Sequence, residues 1–238
     1  MTFLRKYAAA TALAVLAAPA MAAPVTPTFT TFGALPGASF GGTGIPNDQV
    51  AISTFDVAGG VLTLGLAATP RYVLDPALSN DGAGTYTAPT GSELRGPNAT
   101  DGALWNFSFF AETTGTQTLA DLGIVLFYDT DAGAATDKAD LGTLNVSGLN
   151  ALLQGDPKKL EGSQNLLFGY LGVDGIGVRA PSNPFDPNAA GEYSFELFST
   201  QGSVAINVNT IAAVPLPASG ALLLAGLGLL LIRQRRKD

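Results

Sequence analysis

Four aspartates in one short stretch, DTDAGAATDKAD, are the residues whose type and spacing best suit chemistry. Positions one, three, nine and twelve of that stretch are held by Asp129, Asp131, Asp137 and Asp140. Calcium takes six to eight oxygen ligands at about 2.3–2.6 Å, and carboxylates on a short loop can supply several of them. The spacing therefore predicts a calcium site, and Ca²⁺ is the one cofactor that the sequence suggests.

The stretch departs from the EF-hand pattern at three positions. Gly133 stands at position five, where Asp or Asn is usual, Ala134 replaces the invariant Gly, and Asp140 replaces the bidentate Glu. The flanking residues are strand-like and not helical. A solvated turn between two strands, with Lys138 offsetting part of the repulsion, is the alternative interpretation.

Other catalytic chemistry is limited because the chain contains no His and no Cys. A Ser-His-Asp triad, a Cys nucleophile and an imidazole zinc site are therefore excluded. No carboxylate pair stands out for hydrolysis, so we expect that the protein is not an enzyme. One further alternative is a sugar-stacking platform on a single strand, formed by Trp105, Phe107, Phe109 and Phe110.

The elements that would position these residues are predicted to be strands. Apolar residues alternate with polar ones in residues 193–197 and again in residues 204–208, with a hairpin turn at Gln201-Gly202. Further strand signals are TPTFTTF, QVAISTFDV, GVLTLGLAA, LWNFSFFAE, DLGIVLFYD and QNLLFGYLG.

Few helices are expected between these strands. A long loop, SNDGAGTYTAPTGSELRGPNATDG, is rich in turn-forming residues, and single helical turns are predicted at residues 119–122 and 149–154. About eight short strands without helical crossovers indicate an all-β fold, an antiparallel β-sandwich of immunoglobulin-like or jelly-roll-like type. Residues 23–213 form this one domain.

The N-terminus, MTFLRKYAAATALAVLAAPAMAAPV, has the three parts of a secretory signal peptide. Arg5 and Lys6 supply the positive start, residues 8–18 are apolar, and Ala20-Met21-Ala22 is the small-x-small pattern that a signal peptidase reads. We expect residues 1–22 to form this signal helix. Cleavage after Ala22 would leave an exported chain beginning at Ala23.

The C-terminus, VPLPASGALLLAGLGLLLIRQRRKD, is predicted to be an anchor. Residues 216–232 carry no charge, and seventeen residues of helix rise roughly 25 Å, a little short of the ~30 Å hydrocarbon layer. Bilayer thinning accommodates a span of that length. A stop-transfer cluster in the basic tail, residues 233–238, keeps the C-terminus cytoplasmic and consists of Arg233, Arg235, Arg236 and Lys237.

The charge of the middle of the chain excludes one class of partner. Six of the twelve Lys and Arg lie in the two terminal segments, against one of the nineteen Asp and Glu, so residues 23–213 carry a formal charge near −12. Such a surface repels nucleic-acid backbones, and we expect no nucleic-acid partner.

The C-terminal segment, residues 214–238, resembles the PEP-CTERM class of sorting signals. It has a short Pro-containing motif, an apolar helix and a terminal Arg cluster, and its motif Val214-Pro215-Leu216-Pro217-Ala218 resembles the variant called VPLPA-CTERM. The better-known spelling has Glu where Leu216 stands. The resemblance implies recognition by an exosortase, a membrane-embedded cysteine protease that cuts near the motif and delivers the protein to the cell surface or extracellular polymer.

A second resemblance covers the preceding residues. SQNLLFGYLG followed by FDPNAAGEYSFELFSTQGSVAINVNTIAAVPLPA is similar to the C-terminal half of many secreted PEP-CTERM proteins, which implies a β-sandwich of unknown activity. We therefore expect a structural or adhesive protein that is first held in the inner membrane by one helix, and after processing lies at the cell surface or in the extracellular matrix. Its expected partners are an exosortase, the bilayer and extracellular polysaccharide. The alternative is a surface-displayed calcium- or carbohydrate-binding module.

Overall fold

The computed structural model describes residues 24–72, 74–95 and 101–212. Strands predominate in these ranges, joined by one α-helix, α1 (Val146–Leu152), and a 3-10 helix, Gly169–Gly172. The strands, in chain order, are β1 Thr31–Gly33, β2 Val50–Val57, β3 Gly60–Pro70, β4 Ser79–Asn80, β5 Thr85–Pro89, β6 Ser92–Glu93, β7 Gly102–Ala103, β8 Trp105–Thr113, β9 Val125–Tyr128, β10 Gly142–Leu144, β11 Lys159–Gln164, β12 Val178–Arg179, β13 Gly191–Ser199 and β14 Gly202–Ile211.

The strands form two large sheets and one small ribbon. The first sheet has the order β1-β2-β3-β8-β11, the second has the order β12-β10-β9-β13-β14-β5-β4, and β6 pairs with β7. Among the described residues every strand pair is antiparallel except β5 with β14, which run parallel from Asn207↔Thr85 to Ile211↔Pro89. The antiparallel arrangement predicted from the sequence does not hold for this pair. A parallel pair needs a long connection, and residues 90–201 provide it.

Aromatic rings join the two large sheets in the core. Phe107 of β8 lies 4.7 Å from Phe195 of β13 between ring centroids, and Trp105 lies 5.8 Å from Tyr193. The predicted all-β class is confirmed, and the antiparallel sheets agree with a β-sandwich. The alternative of a sugar-stacking platform is wrong, because every side chain of that set is at most 4% exposed: Trp105, Phe107, Phe109 and Phe110.

Three predicted elements differ from the structure. QNLLFGYLG is not a strand, because Asn165 Oδ1 accepts a hydrogen bond from Leu167 N at 3.1 Å and the chain turns into the 3-10 helix. The preceding KLEGSQ is a strand instead, since it pairs with β8 along its whole length. TYTAP, inside the predicted loop, is β5. The helical turn predicted at 149–154 begins three residues earlier, as α1.

The outer face of β14 is covered by the N-terminal segment. Thr28 pairs with Ala205 through backbone hydrogen bonds of 3.0 and 2.8 Å, and Val25 packs with Leu141 and Ala205 in a small second core. Ser194 Oγ donates to Asn207 Oδ1 at 3.1 Å beneath this segment. The alternation of apolar and polar residues in 204–208 suggests that one face of this strand meets solvent, but Ala205 and Asn207 on that face are both buried.

The strand registers define one end of the sandwich as the exit end, where the chain leaves after Ala212. Pro70 lies opposite Trp105, and Thr210 opposite Gly191, so β3 and β14 end where β8 and β13 begin. The turn between β13 and β14 lies at the opposite end, which we call the far end. In the described ranges we find no helix with the length and apolar character needed to cross a bilayer. The signal peptide 1–22, motif 214–218, span 216–232 and tail 233–238 lie outside the described residues.

Candidate functional site

The predicted aspartate loop connects β9 to β10 at the exit end. Tyr128 and Gly142, which flank the loop, are paired residues of these two strands. The strand signal in DLGIVLFYD ends at Tyr128, so the loop begins with Asp129, whose backbone N–H donates to Ser194 O at 3.0 Å. The loop is therefore held against the first residues of β13.

Asp129 and Asp131 use their side chains to shape the loop itself. Asp129 Oδ1 accepts from Asp131 N at 2.9 Å, and Asp131 Oδ1 accepts from Gly133 N at 2.9 Å. Each contact closes an Asx turn, in which an aspartate accepts from the backbone two residues on. The i, i+2 spacing that suggested calcium ligands thus produces two successive turns.

A second loop, residues 181–186, is bonded across the aspartates. Asn183 Nδ2 donates to Asp131 Oδ2 at 2.9 Å, and Ser182 Oγ donates to Asp140 Oδ1 at 2.9 Å. Thr130 Oγ1 donates to the carbonyl oxygen of Asn183 at 2.5 Å. We call these five residues the aspartate clamp. Sequence reasoning missed it, because the two loops are more than forty residues apart and no local pattern links them.

Asp137 and Lys138 contact the N-terminal segment and the second sheet. Asp137 forms a bridge with Pro24, and its carbonyl oxygen accepts from Asp140 N at 2.8 Å. Lys138 Nζ pairs with Glu196 at 2.5 Å and lies 4.2 Å from the centroid of the Phe127 ring. The lysine therefore bonds across the outer face of the second sheet. In the alternative interpretation of the loop as a solvated turn, it would offset repulsion between the aspartates.

The four aspartates do not converge on one point. Within the described part of the chain, no group of three or more Asp, Glu, His or Cys side chains is close enough to hold a metal ion. A cation at the clamp would need hydroxyl, amide or backbone oxygens to complete its shell, which calcium accepts. The calcium site stays a prediction.

The electrostatics of the loop centre on Asp129, which is 2% exposed. Burial raises the pKa of Asp129 to about 6, although the N–H of Asp131 stabilises the ionised form and acts in the opposite direction. A carboxyl with this pKa changes its charge just below neutral pH, and any cation that used it would bind more weakly in acid.

A cleft opens beside the clamp. Its volume is about 330 Å³, and its walls include Leu166, Phe168, Phe185 and the clamp residues Ser182 and Asn183. Both polar side chains already bond to aspartates, so the cleft offers mainly apolar surface.

A larger groove, which we call the exit groove, lies at the point where the chain leaves the sandwich. Its volume is about 570 Å³. Its lining is mostly apolar and comes from the end of β3, the β4–β5 edge and the end of β14: Pro70, Pro76, Ala77, Leu78, Ala88, Pro89, Leu104, Ile211 and Ala212. On its rim, Arg95 pairs with Asp75 at 2.7 Å and with Glu93 at 2.8 Å, and its guanidinium lies 4.2 Å from the centroid of the Tyr72 ring.

Comparison of the chain with protein-family models, with curated proteins and with solved structures finds no match. No relative's activity therefore bears on the aspartate clamp or on the exit groove. The residues predicted for sorting, Val214-Pro215-Leu216-Pro217-Ala218 and the cations at positions 233, 235, 236 and 237, lie outside the described residues.

Proposed function

We propose that this protein is an exported, structural or adhesive component of the cell surface or extracellular polymer, anchored and sorted through its C-terminal segment. The domain is a sandwich of immunoglobulin-like or jelly-roll-like type. An exosortase-type protease, the bilayer and extracellular polysaccharide are its partners. The protein first spans the inner membrane once, with residues 233–238 in the cytoplasm, and it is not an enzyme.

One observation carries this proposal: the sandwich fits between the two terminal signals. Pro24 pairs with Asp137 in the aspartate loop, Val25 packs on Ala205 of the second sheet, and Ala23 is the first residue left after the expected cleavage. At the other end, β14 finishes at Ile211, three residues before the sorting motif. The strands of the sandwich, from Thr31 to Ile211, therefore lie between the two expected processing sites.

The same fit sets the orientation of an anchored domain. Leu216 is the fourth residue after Ala212, and an extended chain covers at most about 3.5 Å per residue, so the exit end would lie within roughly 14 Å of the membrane. β14 has ten residues and rises about 3.4 Å for each of them, so the far end lies roughly 30 Å from the exit end, on the side away from the membrane. We assign adhesive contacts to the far end, around Thr200 and Gln201.

The test replaces Arg233, Arg235, Arg236 and Lys237 by Gln. The expected result is loss of surface delivery in cell fractionation, because a tail without cations no longer stops transfer across the bilayer. The matched control replaces the three arginines by lysine, which keeps all four charges, and it should localise normally. Surface delivery of the Gln variant at the normal level would refute the sorting proposal.

A second candidate function, calcium binding, is favoured by the aspartate clamp, which brings oxygen-bearing side chains from two distant loops together. Binding to the folded form alone would raise the melting midpoint by mass action. We expect millimolar calcium to raise the midpoint more at pH 7.5 than at pH 5, because Asp129, which accepts from the N–H of the clamp residue Asp131, is protonated at the lower pH. An unchanged midpoint at pH 7.5, or an equal rise in an Asp131→Asn variant, would remove this candidate.

A further inference from the structure

The geometry points to the exit groove as a docking site for the protein's own segment Val214-Pro215-Leu216-Pro217-Ala218. The sandwich would thereby hold its sorting motif against its own surface, and while residues 216–218 are docked the membrane-spanning part of the C-terminal segment would begin after Ala218. This inference deepens the proposed function and rests on it for the biological consequence, although the docking itself is a property of the isolated protein.

The first argument is the place where the chain leaves. Ile211 pairs with Pro89 in the parallel β5–β14 ladder, and its carbonyl oxygen accepts from Thr90 N at 3.0 Å. Ile211 and Ala212 both line the groove. Position 213 therefore starts from the groove wall, and a tether of one or two residues gives the segment a local concentration in the millimolar range.

The second argument is the chemistry of the two surfaces. The groove wall is built mainly from proline, alanine, leucine and isoleucine, and the Ile211 side chain is 56% exposed. The segment is uncharged and apolar. The charges on the rim already neutralise one another in part, because Arg95 bonds both Asp75 and Glu93. Nothing in the segment would leave a charge buried without a partner.

The third argument is the low cost of ordering the segment. Two of its five residues are proline, which fixes one backbone torsion at each and removes two N–H donors. An extended Pro-x-Pro stretch is already close to the polyproline conformation, so less conformational entropy is lost when it settles in an apolar groove. An ordinary five-residue segment would bring five donors, whereas this one brings three.

Docking has a consequence for sorting. A protease that reads residues 214–218 must first draw them out of the groove, so the folded sandwich regulates access to its own signal. Before export the unfolded chain has no groove, and the motif becomes sheltered only when the domain has folded.

The test uses oxidative cross-linking in the full chain, purified in detergent, because the protein has no native cysteine. Ala77→Cys places a thiol in the groove, and Leu216→Cys places one in the segment. The control pairs Leu216→Cys with Ala190→Cys, which lies beside Gly191, the partner of Thr210. A disulfide needs Cα atoms about 4.4–6.8 Å apart, so it reports close approach. Peptide mass spectrometry measures the bond.

Ala190 immediately precedes β13, which is adjacent to β14, whereas Ala77 precedes β4, which is separated from β14 by β5, so the tether alone gives the Ala77 pair no advantage over the control. Docking predicts instead that the Ala77 pair is at least about tenfold faster than the Ala190 pair. Adding Val214→Asp should slow the Ala77 pair to the control rate, while the fluorescence of Trp105 confirms that the sandwich stays folded.

An Ala77 pair that is no faster than the Ala190 pair overturns the inference, as does a rate that Val214→Asp leaves unchanged. Failure of the inference is separable from failure of the proposed function. Cross-linking is read on the purified chain, and sorting is read by fractionation of cells.

Discussion

Asn165 is a buried polar residue that bonds the chain together at the exit end. Its side chain is fully buried. The amide oxygen accepts from Ala103 N at 2.9 Å and from Leu167 N at 3.1 Å, and Nδ2 donates to the carbonyl oxygens of Ala103 and Trp105, each at 3.0 Å, and to Asn106 Oδ1 at 2.7 Å. One side chain therefore ties the end of β11 to the start of β8.

The Asn165→Ala substitution should cost about 3–5 kcal/mol of unfolding free energy. A buried donor or acceptor left without a partner costs about 1–3 kcal/mol, and Ala103 alone would lose bonds at both its N–H and its carbonyl. The cavity left by the amide adds to this cost. Domains of this size are stable by about 5–15 kcal/mol, so the variant would lose a large part of its stability.

Urea unfolding followed by fluorescence measures this loss well. Trp105 is the single tryptophan of the chain, is buried, and gives its carbonyl oxygen to Asn165. The matched control is Asn188→Ala, at an exposed turn position, which should stay within about 0.5 kcal/mol of the native protein. A loss below about 1 kcal/mol for Asn165→Ala, with an unchanged dependence on urea, would refute the reasoning that these bonds are needed.

Three further predictions concern the second sheet and the aspartate loop. A Cβ at Gly191 would lie 1.9 Å from the carbonyl oxygen of Ala132, so Gly191→Ala should lower the thermal midpoint measurably, whereas Gly169→Ala, with no atom within 4 Å, should not. Lys138→Met leaves the nearly buried Glu196 unpaired and should cost about 1–2 kcal/mol in urea unfolding, which a second Glu196→Gln substitution should largely restore. Burial raises the pKa of Asp129 to about 6, so the folded state binds the proton more tightly than the unfolded state does. The resulting contribution to the free energy of unfolding is complete below pH 3.8 and is lost as the pH rises through 6. Relative to Asp129→Asn, the native protein should thus lose about 2–3 kcal/mol of unfolding free energy between pH 4 and pH 7, and a gain over that range would contradict the cause.

The strands that the sequence predicted correctly are those in which the pattern of apolar residues indicates which side chains are buried in the core. Residues 193–197 and 204–208 alternate because one face of β13 and β14 meets the core, and the turn between them is local. The alternation predicted which side chains point inward. It could not predict that residues 24–28 cover the opposite face, since their partners are more than 100 residues away along the chain.

The strands that the sequence missed are defined by their partners and not by their own composition. KLEGSQ is half-buried along its whole length and shows no alternation, and it is a strand because β8 offers it a complete edge. TYTAP lies among turn-forming residues, and it is a strand because β14 pairs with it in parallel. Neither pairing can be recognised from the pattern of any ten consecutive residues.

The aspartate loop illustrates the same limit at the level of a site. Spacing alone cannot distinguish a carboxylate that faces a cation from one that accepts its own backbone N–H, because both favour Asp at i and i+2. What separates them is the direction of the free oxygens. Here one oxygen of Asp131 is held by Gly133 and the other by Asn183. A cation must therefore compete with a neutral amide for Asp131, and Asp131→Asn, which keeps the turn but removes the charge, is the substitution that tells the two roles apart.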